Sequence, residues 1–421
     1  MSATSITLIV TCAFGLEAVV KRELEALGIT NYATADGRIE FAATFDDIPR
    51  LNISLRVANR VLLKIGKFPA ADFDQLFDGT SAVLWEEWIP KDAMITVTGK
   101  CVRSTLMSVR ACQSIVKRAI VNRLQEKFFG RQPEKQGQFR PLGLDRDRGD
   151  TALPETGPEF IVEIAITNNV ATLTLDATGQ GLHKRGYRLD KGEAPIRETL
   201  AAALVLLSFW DKDRILIDPM CGAGTILIEA AMIGRNIAPG LNRSFAAESW
   251  AQIDKKAWDD ARTAARAATL PEGNLLIFGS DIDPERIKDA KVNSLRAGVS
   301  KDITFEQKDI KDLWIDKQYG VMICNPPYGV HIGSPKELTG VYIALNKMLK
   351  NKTGWSLYFL TPDQRFPDFF KRARPDKVRK LFNATIETNY YQYFGERPPK
   401  KGIACHPDPD PEPVDTGLRY R

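Results

Sequence analysis

A motif that could hold a nucleobase amine follows the apolar run Val321 to Cys324 and reads Asn325-Pro326-Pro327-Tyr328-Gly329. Such an amine is a poor nucleophile, because its lone pair is delocalised into the ring. The side-chain oxygen of Asn325 and the carbonyl of Pro326 could each accept one amine proton, which would turn the lone pair toward an incoming methyl group. Tyr328 could stack on a base taken out of its helical stack, and the prolines stiffen the loop. We predict Asn325, Pro326, Pro327 and Tyr328 as catalytic residues; a plain turn with an aromatic anchor is the alternative.

A second motif has the order of elements expected of a cofactor-binding loop. The apolar run Ile215 to Ile217 ends at Asp218, a glycine-rich turn follows, and Ile226 to Ile233 has helical character. Gly222 and Gly224 would let a ligand approach the backbone, because neither has a side chain. The helix N-terminus would offer free N–H groups to an anion. The cofactor-binding residues predicted in this loop are Asp218, Cys221, Gly222, Gly224 and Thr225.

Three further acids follow the next apolar runs. Asp281 ends the run Leu275 to Ser280, the position from which an acid binds a ribose in a dinucleotide fold. Asp309 ends the run after that and suits a hydrogen bond to an adenine edge. Asp283 is also predicted to bind the cofactor, although its place before Pro284 equally suits a helix N-cap. The Gly-Lys-Thr pattern of phosphate-loop hydrolases is missing, so these residues leave a dehydrogenase open as well.

The elements that must position these motifs form a repeating strand, loop and helix sequence that begins near Pro195. Near-continuous apolar strands alternating with helices predict a parallel sheet covered on both faces. Such sheets carry out chemistry at the carboxyl ends of their strands, where both motifs lie. The predicted strands are Ile215 to Ile217, Leu275 to Phe278, Ile303 to Phe305, Val321 to Cys324 and Trp355 to Leu360, followed by a pair at Lys377 to Ala384 and Thr385 to Phe394.

The first half of the chain indicates an α+β module with helices on a sheet. Its predicted elements include a helix ended by Gly28 and a hairpin turned at Asn168-Asn169. The predicted strands are Ile6 to Thr11, Arg38 to Phe41, Ala58 to Ile65, Ala93 to Thr98, Phe160 to Ala165 and Val170 to Leu175. The segment from Lys100 to Arg140 holds ten lysines and arginines against two glutamates. It is interpreted as a phosphate-binding surface, with a solvated helix face as the alternative.

Composition narrows the class of protein. A chain of 421 residues suggests two or three domains, and 44% hydrophobic with 26% charged residues is typical of globular proteins. The net charge of +5 favours polyanionic partners mildly. Six cysteines without CxxC spacing and three scattered histidines predict neither a disulfide framework nor a metal site. No secretory signal and no bilayer-length apolar stretch is found, so we expect a cytoplasmic protein without a membrane partner. Nothing in the sequence indicates an oligomeric state.

Together the motifs resemble the class I methyltransferases that carry an N-terminal THUMP domain, in particular the RlmL-type N2-guanine methyltransferases of large-subunit ribosomal RNA. The resemblance extends to about Phe394. The stretches that carry it are Trp85-Glu86-Glu87-Trp88, Gly181 to Arg188, Ala194 to Ala201, Asp218 to Thr225 and Asn325 to Gly329. The chain departs from relatives after the last motif. Relatives commonly have an acidic and a basic residue after the glycine, whereas this chain has Val330-His331-Ile332.

The resemblance implies a Rossmann-like, seven-stranded class I methyltransferase domain with an antiparallel seventh strand, preceded by an α+β ferredoxin-like and THUMP RNA-binding region. The expected cofactor is S-adenosyl-L-methionine, with Asn325 among its contacts, and the expected partner is RNA, ribosomal RNA in particular. The RNA-binding residues predicted in this way are Lys100, Arg103, Arg110, Lys117, Arg118, Lys184 and Arg185. The expected boundaries are 1–64 (ferredoxin-like), 65–167 (THUMP), 168–190 (connector), 191–396 (methyltransferase) and 397–421 (a Pro/acid-rich tail, extended or disordered).

Two alternatives stay open at this point. The amines of adenine and guanine pose the same electronic problem, so the motif also suits transfer RNA guanine, or adenine in RNA or DNA. The other alternative is an inactive RNA-binding protein that retains the fold. Against it stands an intact set of candidate residues: Gly222, Gly224, Asp281, Asn325 and Tyr328.

Overall fold

A computed structural model describes residues 5–130, 153–188, 196–326, 335–370, 374–398 and 418–420; the side chains of 335–337 and 418–420 are not described. Two seven-stranded sheets organise these residues, one in each half of the chain. Among the described residues, no helix combines the length and hydrophobicity needed to cross a bilayer.

The first sheet has the strand order β2-β3-β1-β4-β7-β6-β5. All its pairs are antiparallel except β5 with β6. Asn168 and Asn169 both have positive φ, as a type I′ hairpin between β6 and β7 requires. The elements are β1 (Ile6–Thr11), α1 (Glu17–Ala26), β2 (Ala33–Ala35), β3 (Arg38–Ala43), α2 (Asp47–Ser54), β4 (Arg60–Pro69), α3 (Phe73–Ser81), β5 (Met94–Val102), α4 (Val109–Phe129), β6 (Glu159–Thr167) and β7 (Val170–Asp176).

One strand joins the two N-terminal modules. β4 pairs with β1 through Arg60 to Leu63 and with β7 from Leu62 to Pro69. The boundary expected between residues 64 and 65 therefore falls inside a strand, because the same ten residues complete both modules.

The second sheet has the order β10-β9-β8-β12-β13-β15-β14, in which β15 is antiparallel to both of its neighbours. β12 and β13 are buried along their whole length, as strands covered on both faces must be. The elements are α5 (Glu198–Leu206), β8 (Leu216–Asp218), α6 (Thr225–Gly234), α7 (Lys255–Ala267), β9 (Ile277–Asp281), α8 (Pro284–Arg296), β10 (Ile303–Gln307), β11 (Leu313–Ile315), β12 (Gly320–Cys324), α9 (Pro335–Met348), β13 (Trp355–Thr361), α10 (Phe366–Phe369), β14 (Lys377–Asn383) and β15 (Ile386–Tyr393). This arrangement confirms the predicted Rossmann-like domain with an antiparallel seventh strand.

A last strand, β16 (Leu418–Tyr420), pairs antiparallel with β11. The end of the tail is therefore extended chain attached to the methyltransferase sheet domain. The rest of the predicted Pro/acid-rich segment, residues 399–417, lies outside the described residues.

Candidate active site

The glycine-rich loop joins β8 to α6 and is hydrogen-bonded to the carboxyl end of β9. The backbone N–H of Gly222 donates to Asp281 Oδ2 at 2.9 Å, and that of Cys221 donates to the carbonyl of Ser280 at 2.9 Å. Gly222 has a φ of +52°, and a Cβ placed there would meet no atom within 4 Å. The loop therefore holds Gly222 in a conformation suited to glycine, with its Cβ side open to a ligand.

Gly224 has a different reason to be glycine. Its φ is +80°, and a Cβ there would lie 2.9 Å from Cζ of Phe305 and 3.1 Å from Cβ of Ala290. The expectation that Gly224 lets a ligand approach is therefore corrected: β10 and α8 occupy the space beside it. Thr225 begins α6, and its buried hydroxyl accepts from Arg188 at 3.2 Å.

The predicted ribose-binding acid lies beside this loop. Asp281 accepts from the N–H of Gly222 and, through Oδ1, from the N–H of Asp283 at 3.0 Å. Partial burial raises the pKa of Asp281 and these N–H bonds oppose that shift. Each carboxylate oxygen has further lone pairs for a ribose hydroxyl. Asp283 caps α8 by accepting from the N–H of Glu285 at 2.9 Å, and Asp309 caps a short 3₁₀ turn by accepting from Lys311 at 3.0 Å.

Asp218 is buried at the centre of this edge of the sheet. Burial, with a smaller contribution from Asp281, raises its pKa to about 8 against the hydrogen bond from the N–H of Met220. Burial also raises the pKa of the neighbouring Cys221 and Cys324 thiols, which keeps both in the unreactive thiol form.

Asn325 follows β12, the strand next to β8 in the sheet. Its side-chain oxygen, Oδ1, is buried and has no hydrogen-bond partner among the described residues. Leaving a buried acceptor unsatisfied costs about 1–3 kcal/mol. A buried oxygen without a hydrogen-bond partner therefore indicates a ligand that donates a hydrogen bond to it. Pro326 is buried beside it, whereas the predicted catalytic residues Pro327 and Tyr328 lie outside the described residues.

The predicted RNA-binding residues of the N-terminal half lie on β5, on α4 and in the loop between them. Lys100 forms an ion pair with Glu163 at 3.6 Å, and Lys117 forms one with Glu155 at 3.1 Å. Arg118 is partly buried, whereas Arg103 and Arg110 are exposed and form no ion pair with another described residue. These two arginines are therefore the members of the group whose charges are exposed without a described ionic partner.

Arg185 is not a surface residue, so the prediction that it contacts RNA is wrong. Its side chain is 1% exposed and faces the fully buried Glu229 at 3.5 Å. It also donates to the carbonyls of Leu182, at 2.6 Å, and Arg56. Tyr187 donates its hydroxyl to Glu229 at 3.0 Å. This cluster joins the N-terminal module to α6, while Lys184 is only partly buried.

Within the described part of the chain, no group of three or more histidine, cysteine or acidic residues is placed to hold a metal ion. The described cysteines are all free thiols.

Three family models match successive parts of the chain. Residues 7–62 match the RlmL ferredoxin-like domain, residues 70–136 the THUMP domain and residues 185–392 the RMKL-like methyltransferase domain. The chain is 42% identical over 396 residues to the Bacillus subtilis protein named "Putative RNA methyltransferase YpsC", covering 94% of this chain and 98% of that one. The chain belongs to the RlmL-like family of THUMP-domain methyltransferases.

Two solved structures resemble this RlmL-like methyltransferase over nearly its full length. A protein of Listeria monocytogenes, described as a predicted N6-adenine-specific DNA methylase, is 42% identical with a TM-score of 0.82, covering 93% of this chain and 97% of that one. SMU.472, solved in complex with S-adenosylhomocysteine (SAH), is 37% identical with a TM-score of 0.84, covering 95% and 100%. Family membership confirms the fold and S-adenosylmethionine (SAM) as the cofactor expected from the sequence.

Asp281→Ala in this RlmL-like methyltransferase is expected to weaken SAM binding by about 1.5–3 kcal/mol, the range for hydrogen bonds to a charged group. The variant loses both a ribose acceptor and the bond that holds Gly222. Isothermal titration calorimetry measures the change. Glu285→Ala is the matched control, because that acid is exposed on α8 and pairs with the exposed Lys288. Unchanged affinity in a folded Asp281→Ala protein would contradict the assignment.

Proposed function

We propose that this methyltransferase transfers a methyl group from SAM to the exocyclic N2 amine of a guanine in ribosomal RNA. The observation that carries the proposal is the buried Oδ1 of Asn325, which has no hydrogen-bond partner among the described residues and follows the strand beside the cofactor loop. An amide oxygen in this position suits a ligand that donates N–H bonds, as a base amine does.

SAM supplies an electrophilic methyl group on a sulfonium, and the chain's residues prepare the acceptor. Asn325 Oδ1 and the Pro326 carbonyl accept hydrogen bonds from the two N–H groups of the amine, which directs the nitrogen lone pair at the methyl group. As the amine nitrogen bonds to the methyl carbon, the carbon–sulfur bond breaks, and the methylated amine loses one proton to solvent. Tyr328 stacks on the extruded base. Alignment supplies much of the rate acceleration in such a reaction. The acids Asp218 and Asp281 beside the loop suit a positively charged cofactor, since a nearby cation favours their ionised forms.

RNA as the substrate class has support from both halves of the chain. The THUMP match covers residues 70–136, where Arg103 and Arg110 are exposed, and YpsC carries the name of an RNA methyltransferase. The stretches Gly181 to Arg188 and Ala194 to Ala201 resemble those of the N2-guanine enzymes. Free cysteines and an RNA substrate support a cytoplasmic location. The second candidate is adenine N6, favoured by the description of the Listeria structure.

Mass spectrometry of nucleosides from a strain lacking the gene tests the proposal. Large-subunit ribosomal RNA and transfer RNA are purified separately and compared with the parent strain. We expect N2-methylguanosine to fall in the ribosomal fraction only, and a plasmid copy of the gene to restore it. A fall in transfer RNA, or in N6-methyladenosine, would replace the proposed substrate.

The double variant Arg103→Ala/Arg110→Ala is expected to bind RNA more weakly, because two phosphate contacts are lost. Its plot of log affinity against log salt should be shallower by about 1 for each lost contact. Filter binding between low and physiological salt measures both quantities. Lys256→Ala is the control, since Lys256 is an exposed cation on α7 that pairs with the exposed Asp260. If the double variant and the parent protein had equal salt slopes, Arg103 and Arg110 would not contact RNA phosphates.

A further inference from the structure

A cavity of about 500 Å³ lies where the N-terminal module meets the outer hairpin of the methyltransferase sheet. The loop after β1, the start of α5 and the β14–β15 turn line it, and it is open to solvent on one side. Its lining includes Phe14, Asn59, Arg197, Thr199 and Phe382. Neither half of the chain forms this cavity alone.

The cavity opens on the edge of the sheet at which the catalytic motif lies. Across the strands, Cys324 is level with Phe359, Tyr391 and then Val378. Phe382 is four residues further along β14, which is parallel to β12, so it stands about 13 Å beyond that level at about 3.3 Å per residue. It is three strand spacings of about 4.8 Å from β12. The hairpin therefore projects past the edge of the sheet at which Asn325 lies.

Two phenylalanines give the cavity an aromatic wall. Phe14 is 52% exposed, and its ring lies 6.2 Å from that of Phe382 at an interplanar angle of 73°. The loop that carries Phe14 is pressed against the hairpin: Gly15 has a φ of +86°, and a Cβ there would lie 3.1 Å from the carbonyl of Lys380. An exposed aromatic ring held in place in this way offers a face on which a base can stack.

The polar side of the cavity is positive. Arg197 is exposed at the start of α5 and forms no ion pair with a described residue. Burial, and then the charge of Arg197, lowers the pKa of nearby His183 to about 4, so His183 is neutral at physiological pH. The nearest acid in sequence, Glu198, faces inward and forms an ion pair with Arg188 at 3.5 Å. The guanidinium of Arg197 is thus available to a phosphate.

We infer that this cavity is a second nucleotide subsite, which binds an unpaired base within about 20 Å of the methylated nucleotide, the distance that the strand positions of Phe382 and Asn325 set. The base stacks on Phe14 against the Phe382 edge, and the phosphate of the same nucleotide binds Arg197. Thr199 donates its hydroxyl to Asn59 Oδ1 at 3.5 Å, which leaves the N–H groups of the Asn59 amide to donate to the base edge. The inference rests on the proposed action on RNA, and it gives the ferredoxin-like module a direct part in positioning the substrate.

The test compares full-length Phe14→Ala, Phe14→Tyr and Arg197→Ala with the parent protein. The probe is total RNA from a strain lacking the gene. We expect Phe14→Ala to raise KM for RNA about tenfold through lost stacking, with kcat and SAM affinity unchanged. Phe14→Tyr should restore KM, because it keeps the ring, and Arg197→Ala should raise KM with a shallower salt dependence. Phe209→Ala is the matched control: Phe209 is 42% exposed and 6.5 Å from Tyr358 at the opposite edge of the sheet.

Filter binding of the same RNA, with SAH present, runs beside the kinetic assay. Parent-like KM and RNA affinity in both folded Phe14→Ala and Arg197→Ala would overturn the subsite. An equal loss in Phe209→Ala would also overturn it, because the effect would then be one of stability. If the parent protein methylates no RNA, the proposed function fails instead, and the binding data still decide whether the cavity holds RNA.

Discussion

Asn325→Ala is expected to lower kcat for methyl transfer about a hundredfold to a thousandfold, the scale seen when one preorganised hydrogen-bonding group is removed from an active site. The amide oxygen has no protein partner among the described residues, so its loss removes a contact made to the acceptor amine. SAM affinity should fall far less than kcat, because Asn325 is one expected contact among several and the contact between Gly222 and Asp281 is untouched. Radiolabelled methyl transfer and calorimetry on the same preparation measure the two effects.

Asn325→Asp sharpens this experiment. The aspartate keeps an accepting oxygen at the same position, so we expect it to retain more activity than the alanine variant. If a folded Asn325→Ala protein transferred methyl groups at the native rate, Asn325 would have no catalytic role and the motif would be only a structural turn.

Arg185→Met is expected to destabilise the protein by about 3–5 kcal/mol, since removing one partner of a buried ion pair leaves the other charge uncompensated. Glu229 is fully buried, and Tyr187 is its only other hydrogen-bonding partner among the described residues. Methionine keeps the volume of the side chain, so the loss comes from the charge and from the bonds to two carbonyl groups. Urea unfolding measures the free energy.

Lys184→Ala is the control for this prediction. Lys184 is the preceding residue and is only partly buried, whereas Arg185 is buried. We expect a change within about 0.5 kcal/mol, as for most surface substitutions. If Arg185→Met were as mild as Lys184→Ala, the ion pair would not support the junction between the two halves.

Local sequence order was enough to predict the main features of the cofactor site. β8, the glycine turn and α6 follow one another directly, so Asp218 and Gly222 could be placed without any tertiary information. Asp281 was found because an acid at the end of the second strand must lie beside that turn in a parallel sheet. The hydrogen bond from the N–H of Gly222 to Asp281 shows that the two lie side by side in the structure.

Features that depend on distant partners could not be predicted in this way. Arg185 lies in a basic run that looks exposed, and its partner Glu229 is 44 residues away on a helix with no amphipathic pattern. Gly224 must be glycine because of Phe305, which lies on β10, a strand about 80 residues further along the chain. The cavity at Phe14 exists only because two modules meet.

The most direct test of the proposed function is methylation of isolated ribosomal RNA with isotopically labelled SAM. Large-subunit RNA from a strain lacking the gene is incubated with the parent protein or with Asn325→Ala, then digested to nucleosides and analysed by mass spectrometry. We predict the label in N2-methylguanosine with the parent protein and almost none with the variant. Label in N6-methyladenosine, or equal labelling by both proteins, would contradict the proposed substrate or the proposed role of Asn325, respectively.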